Sequence, residues 1–111
     1  MNLDSSNGRE STVDIWNDFT NSKGILVKWQ AEVLKEIVEL KKELKYLLDK
    51  RELLKVKIEC FDKWQSSAYS QLKFKTTVEL EQINKDTVKA ERKEVFLREL
   101  LKKIESEIKN L

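Results

Sequence analysis

Residues 33–61 read VLKEIVELKKELKYLLDKRELLKVKIECF, a stretch in which apolar side chains recur at alternating steps of four and three residues. This spacing places them along one stripe of a helix, as the a and d positions of a coiled coil do. No proline or glycine occurs between Ile25 and Leu111 to interrupt such a helix. The sequence therefore predicts an all-α fold, a long coiled-coil helix that associates into a dimer or a helical bundle.

The stripe extends over most of the chain, but in two frames. One frame runs from Leu26 to Leu72 and the other from Thr76 to Leu111, and the two differ by one residue. The predicted oligomer seam consists of Leu26, Val33, Ile37, Leu40, Leu44, Leu47, Leu54, Ile58, Phe61, Leu72, Leu80, Ile83, Leu97, Leu101, Ile104 and Ile108. A local unwinding of the hendecad type would join both frames in one continuous helix. A hairpin near residues 66–76 would instead bury both stripes in one chain.

The signals for a break in this region are modest. Ser66, Ser67 and Ser70 weaken helix propensity, and Thr76 with Glu79 has the spacing of a capping box. A tight turn usually recruits glycine or proline, however, and neither is present there. The sequence therefore favours a continuous or gently bent helix over a hairpin.

The N-terminal part of the chain has a different composition. Residues 1–10 are polar and predict a disordered tail. Residues 11–21 predict a short amphipathic helix that Ser11 caps, and residues 21–24, which include Gly24, supply turn chemistry after it. Residues 22–111 then form the long coiled-coil region.

A single helix would leave this stripe in water, so the seam requires a partner strand. In a parallel homodimer, Arg51 would face its own copy within the seam. An antiparallel homodimer can place Arg51 opposite Leu40 and pair Glu43 with Lys50 on the flank. The sequence therefore favours an antiparallel pairing of two copies over a parallel one. A heterologous coiled-coil protein is the other partner that would fit the seam.

Five aromatic residues are candidates for binding a partner. Trp29, Trp64 and Tyr69 flank the stripe, where they would either pack inside a bundle of three or four helices or dock onto another protein. Trp16 and Phe19 lie in the acidic N-terminal segment and would either fold back onto the rod or insert into a groove on a partner. Packing is the more common fate of such flanking residues, but both interpretations concern contact between proteins.

The sequence offers little from which a reaction could be inferred. Cys60 is its only cysteine, and the sequence has no histidine that could activate this thiol as a nucleophile. It also lacks a glycine-rich phosphate loop and a cluster of residues with metal-ligand spacing. We therefore expect no enzymatic activity, no cofactor, no metal and no small-molecule substrate.

Charge and location complete the sequence-based interpretation. The net charge of +2 provides no strong field toward nucleic acid or anionic lipid. The densest basic stretch is interleaved with acids and consists of Lys41, Lys42, Lys45, Lys50, Arg51, Lys55 and Lys57. No secretory signal or membrane span is evident, which favours the cytoplasm, cytoskeleton or nucleus.

The predicted function is coiled-coil assembly or scaffolding within a larger intracellular complex. The alternatives are a hairpin that binds nucleic acid through a basic arm and a bundle that tethers membranes; both contacts are disfavoured.

Overall fold

A computed structural model describes the backbone of residues 7–111 and the side chains of residues 22–111. Two long helices, α1 (Asn7–Trp64) and α2 (Ser67–Lys109), account for nearly all of that backbone, and they pack against each other. No strand occurs within the described range. The all-α, coiled-coil fold predicted from the sequence is confirmed.

Helix α1 passes without interruption through residues 21–24, where the sequence predicted a turn. One glycine inside a helix costs only about 1 kcal/mol relative to alanine, so Gly24 can be absorbed in a helix of this length. Helix α1 begins at Asn7, and its backbone is helical across residues 10 and 21. Residues 1–6 of the predicted tail lie outside the described backbone, and Trp16 and Phe19 lie outside the described side chains.

The chain reverses direction between the two helices, at Gln65 and Ser66. Gln65 adopts a left-handed backbone conformation with φ of 42°, the conformation in which many helices end. Ser66 directly precedes α2 and caps it: its carbonyl oxygen accepts a hydrogen bond from the backbone N–H of Tyr69 at 2.9 Å. The Ser66 hydroxyl accepts another from the N–H of Ala68 at 3.3 Å. These bonds satisfy donors that a helix start leaves free.

The preference for a continuous helix over a hairpin was therefore wrong. It rested on the absence of glycine and proline, yet glutamine can occupy the left-handed position at a cost of about 1 to 2 kcal/mol. A serine cap and the burial of both stripes offset this cost. The shift of one residue between the two frames marks a change of helix rather than a local unwinding.

Residues 36–98 form one compact unit that contains the turn, and we call it the hairpin. Its buried seam combines Ile37, Leu40, Leu47 and Leu54 of α1 with Thr76, Thr87, Ala90 and Leu97 of α2. A groove of about 400 Å³ is lined from both sides, by Leu40 and Leu47 of α1 and by Ala90 of α2 among others, which shows the two stripes facing each other. The Thr87 hydroxyl donates a hydrogen bond to the carbonyl oxygen of Ile83 at 2.7 Å. This polar group in the seam is therefore satisfied.

The second compact unit combines the part of α1 before residue 36 with the part of α2 from residue 99 onward. Among its described side chains, Val33 and Ile104 are buried. Leu26, Leu101 and Ile108 are half-buried around them. The same a and d spacing therefore supplies the apolar contacts of this unit.

Replacing Gln65 by glycine is expected to stabilise the hairpin. Glycine adopts the left-handed conformation without a steric penalty but loses more backbone entropy on folding, so we expect a net gain of about 0.5 to 1 kcal/mol. The matched control is Gln71→Gly, at an exposed position inside α2. It should lose about 1 kcal/mol. Urea unfolding followed by circular dichroism measures both changes. A loss of stability in Gln65→Gly would contradict the left-handed turn.

Candidate protein-docking site

Three aromatic rings from both helices gather at the turn of the hairpin. Phe61 and Tyr69 stack with ring centroids 5.8 Å apart, across the chain reversal. Trp64 lies against both of them, at 5.4 Å from Tyr69 and at 6.2 Å from Phe61 in an edge-on arrangement. Aromatic pairs at such distances each contribute about 0.5 to 1.5 kcal/mol beyond their buried area. We call these three residues the tip cluster; its ring contacts stabilise the turn and pack the indole of Trp64 against the other two rings.

The three rings differ in how much surface they present to solvent. Phe61 and Tyr69 are half-buried, whereas Trp64 remains 54% exposed although it touches both of them. Tryptophan is the residue most enriched in the hot spots of protein interfaces, because it buries much apolar area at little conformational cost. The tip cluster thus presents a large apolar side chain on a rigid aromatic support.

A shallow groove of about 360 Å³ lies beside the cluster. Its lining combines aromatic, hydroxyl and charged side chains, namely Phe61, Asp62, Gln65, Ser66, Ser67, Tyr69, Ser70 and Lys73. Asp62 of α1 forms an ion pair with Lys73 of α2 along this groove, and about half of each side chain is exposed. An exposed pair of this kind contributes little to stability, at most about 1 kcal/mol. The site therefore offers hydrogen-bonding groups around an apolar centre.

The structure places nearly all of the predicted seam inside the helix pair. Val33, Ile37, Leu40, Leu47, Leu54, Leu97 and Ile104 are buried. Leu26, Leu44, Ile58, Phe61, Leu80, Ile83, Leu101 and Ile108 are half-buried. Leu72 is exposed, because α2 starts in a new frame after the turn. In the hairpin, the seam side chains of α1 are thus covered by α2 of the same chain.

The partner-binding candidates fall into different environments. Trp64 and Tyr69 come together in the tip cluster, whereas Trp29 is 43% exposed in the other compact unit. Phe61 belongs to the cluster as well, but the sequence assigned it only to the seam. Phe61 lies three residues before Trp64 and eight before Tyr69. This spacing does not bring the three rings together on one continuous helix; the turn at Gln65 does.

The basic stretch of α1 is not a continuous basic face. Arg51 is half-buried in the seam, and its Nε atom has no hydrogen-bond partner. Lys45 donates to Asp49 at 3.1 Å, and Lys55 lies 3.4 Å from Glu52. Three of its seven cations are therefore directed into the seam or toward an acid on the same helix, which weakens a role in tracking phosphates.

Between residues 22 and 111, no group of three or more side chains of the metal-ligating types is arranged to hold a metal ion. Cys60 carries a free thiol and is half-buried. A separate property concerns bilayers: no helix in the described part of the chain contains a stretch long and apolar enough to span one.

Comparisons of this chain with protein-family models, with curated proteins and with solved structures found no match.

Proposed function

We propose that this chain is a non-enzymatic assembly protein, whose hairpin docks onto a protein partner through the tip cluster within a larger intracellular complex. The exposed indole of Trp64 carries the proposal, since it stands on two stacked rings at the point where both helices meet. Exposed aromatic residues on a rigid support lose little entropy on binding and so favour a protein interface. Cytoskeletal proteins are one candidate class of partner, because long helical assemblies are common among them.

The remaining exposed apolar side chains support the same proposal. Tyr46, Leu53 and Val56 lie on one side of α1 at spacings of seven and three, with 62%, 49% and 53% of their surface exposed. An apolar face of this kind favours contact with a further helix, as in a bundle of three or four helices. The hairpin is therefore suited to assembly both at its tip and along its length.

The two alternatives have less support from the described residues. Nucleic-acid binding would need a basic face, and the basic stretch has Arg51 in the seam and Lys45 paired with Asp49. Membrane tethering would need an apolar face rimmed by cations, whereas acids and bases alternate along α1.

Quantitative affinity capture from an extract of the source cells tests the docking site. Three baits are compared: the unchanged chain, Trp64→Ala and Trp29→Ala. Both variants lose a partly exposed tryptophan, but only Trp64 belongs to the tip cluster. We expect a defined set of proteins to bind the unchanged chain and Trp29→Ala, and to drop by about tenfold or more with Trp64→Ala, as loss of a hot spot implies.

Melting curves of the three baits, recorded by circular dichroism, separate lost docking from lost folding. Nuclease treatment and a salt series are run on the same captures, since phosphate contacts weaken steeply with salt. Equal binding to all three baits would overturn the tip as the docking site. Capture that disappears with nuclease would favour nucleic acid, and selective binding to anionic vesicles would favour the membrane.

A further inference from the structure

The side of α2 that faces away from α1 carries a second apolar stripe. Its members are Phe74, Val78, Val88 and Val95, with 72%, 49%, 45% and 61% of their surface exposed. In the heptad frame of α2 they occupy b and f positions, whereas the seam occupies a and d. The remaining b and f positions between residues 74 and 95 carry three charged residues, namely Glu81, Lys85 and Arg92. We call these seven residues the outer stripe.

Two shallow, open grooves lie on this face, and Val88 and Arg92 line both of them. The first, of about 360 Å³, is lined by Val88, Glu91, Arg92 and Val95. The second, of about 440 Å³, is lined by Asn84, Lys85, Val88, Lys89 and Arg92. Only residues of α2 line them, so both grooves open to the outside of the hairpin. A helix laid along this face could therefore place side chains in both grooves.

We propose that the outer stripe binds the outer stripe of a second copy of this chain, with the two α2 helices antiparallel. This inference rests on the proposed assembly function and names one of its partners. With the two-fold axis between Lys85 and Val88, Val78 faces the partner's Val95 and Glu81 faces the partner's Arg92. Each of these contacts occurs twice, because the interface of a two-fold dimer is self-complementary.

Charge complementarity selects this register. On the flanks, Lys75 faces the partner's Phe96, Gln82 faces the partner's Lys89 and Asn84 faces the partner's Glu91. No two like charges therefore face each other in the seam or on the flanks between residues 75 and 98. The cation of Lys75 against the Phe96 ring adds an attractive contact.

The neighbouring arrangements each contain a conflict. If the partner helix is shifted by one heptad so that Lys75 faces residues nearer the partner's N-terminus, Lys75 lies against the partner's Lys89. The opposite shift by one heptad places Glu81 against the partner's Glu99. A parallel dimer places Lys85 against its own copy and Arg92 against its own copy. Like charges held across a helix pair disfavour that pairing.

The apolar face of α1, which contains Leu53 and Val56, lacks this charge complementarity. The antiparallel register that pairs Leu53 with the partner's Val56 also sets Lys50 against the partner's Lys57. It further sets Glu52 against the partner's Glu59. This register of the α1 face therefore brings like charges together, and the inference assigns self-association to the outer stripe of α2.

Sedimentation velocity over a concentration series tests this dimer through a charge exchange. The variants are Glu81→Arg, Arg92→Glu and the double variant that carries both. Both residues are exposed, so the seam of the hairpin is unaffected. We expect the unchanged chain to dimerise, each single variant to lower the association constant by about tenfold or more, and the double variant to restore it to within about threefold.

The control is Leu53→Lys, which adds a charge to the outer face of α1 and should leave the association constant unchanged. A chain that stays monomeric throughout the series would overturn the inference. Two other results would also overturn the inference. One is an association constant that neither single variant changes; the other is a dimer that Leu53→Lys disrupts and the single variants do not. Failure here is separate from failure of the proposed function, because the capture experiment at Trp64 reads a different surface. A chain that stays monomeric but still captures proteins through Trp64 would contradict the dimer and leave the proposed docking function standing.

Discussion

Leu54→Ala is expected to lower the free energy of unfolding by about 2 to 5 kcal/mol. Leu54 is 1% exposed, at a d position in the seam of the hairpin. Truncation removes its apolar contacts and leaves a cavity that two long helices can close only partly. Urea unfolding followed by circular dichroism at a fixed chain concentration measures the change.

The neighbouring residue provides a matched control. Leu53 has the same side chain on the same helix, but it is 49% exposed on the outer face. We expect Leu53→Ala to cost less than about 1 kcal/mol, because little of its contact with the protein is lost. Equal losses for the two variants would mean that the outer face of α1 is covered as fully as the seam, which the hairpin alone does not allow.

Arg51→Leu is expected to raise the free energy of unfolding by about 1 to 3 kcal/mol. Arg51 occupies an a position of the seam, is half-buried, and has an Nε atom without a hydrogen-bond partner. Leucine removes that unsatisfied donor and adds apolar contact at an a position, where apolar side chains pack in a coiled coil. The same unfolding experiment measures the gain.

A control with the same change of charge isolates the effect of the seam. Lys55→Leu also removes one positive charge, but the Lys55 side chain is 52% exposed and forms a surface ion pair with Glu52. We expect this change to stay within about 0.5 kcal/mol. If Lys55→Leu stabilised the protein as much as Arg51→Leu, lower net charge would be the cause and the unsatisfied donor would not.

The sequence predicted the helices and the seam because both follow from one spacing. Every third or fourth residue from Leu26 to Phe61 lies on one face of a helix, whatever covers that face. The burial of Val33, Ile37 and Leu40 therefore follows from the pattern alone. The pattern cannot say whether the covering helix comes from another chain or from the same one, since both satisfy the same stripe.

The turn could not be predicted for a different reason. Turn prediction relies on glycine and proline, whereas this turn uses Gln65 in a conformation that its residue type seldom adopts. The signal that was present is the weakening of the first frame at Gln65 and Ala68, which the structure leaves exposed. The tip cluster depends on this turn, so it could not be predicted before the turn was known.

The outer stripe could not be predicted from the a and d positions, because its residues occupy b and f positions on the opposite side of α2. Val88 and Val95 are seven residues apart on the far side of α2, where isolated valines are common on protein surfaces. Their pairing with Glu81 and Arg92 in one self-complementary register emerges only after α1 has been assigned to the opposite face.

Helices α1 and α2 of one chain pair with each other across the turn, and a distance between two spin labels tests this pairing most directly. In a Cys60→Ser background, labels are attached at Glu43→Cys and Lys89→Cys, two exposed positions that line the same groove in the hairpin. The labelled chain is mixed with an excess of unlabelled chain, so that only distances within one chain are read. The hairpin predicts a separation below about 25 Å, from an interhelix distance of about 10 Å and the length of the label arms. A continuous helix would place the labels about 70 Å apart at 1.5 Å per residue, and that result would contradict the hairpin.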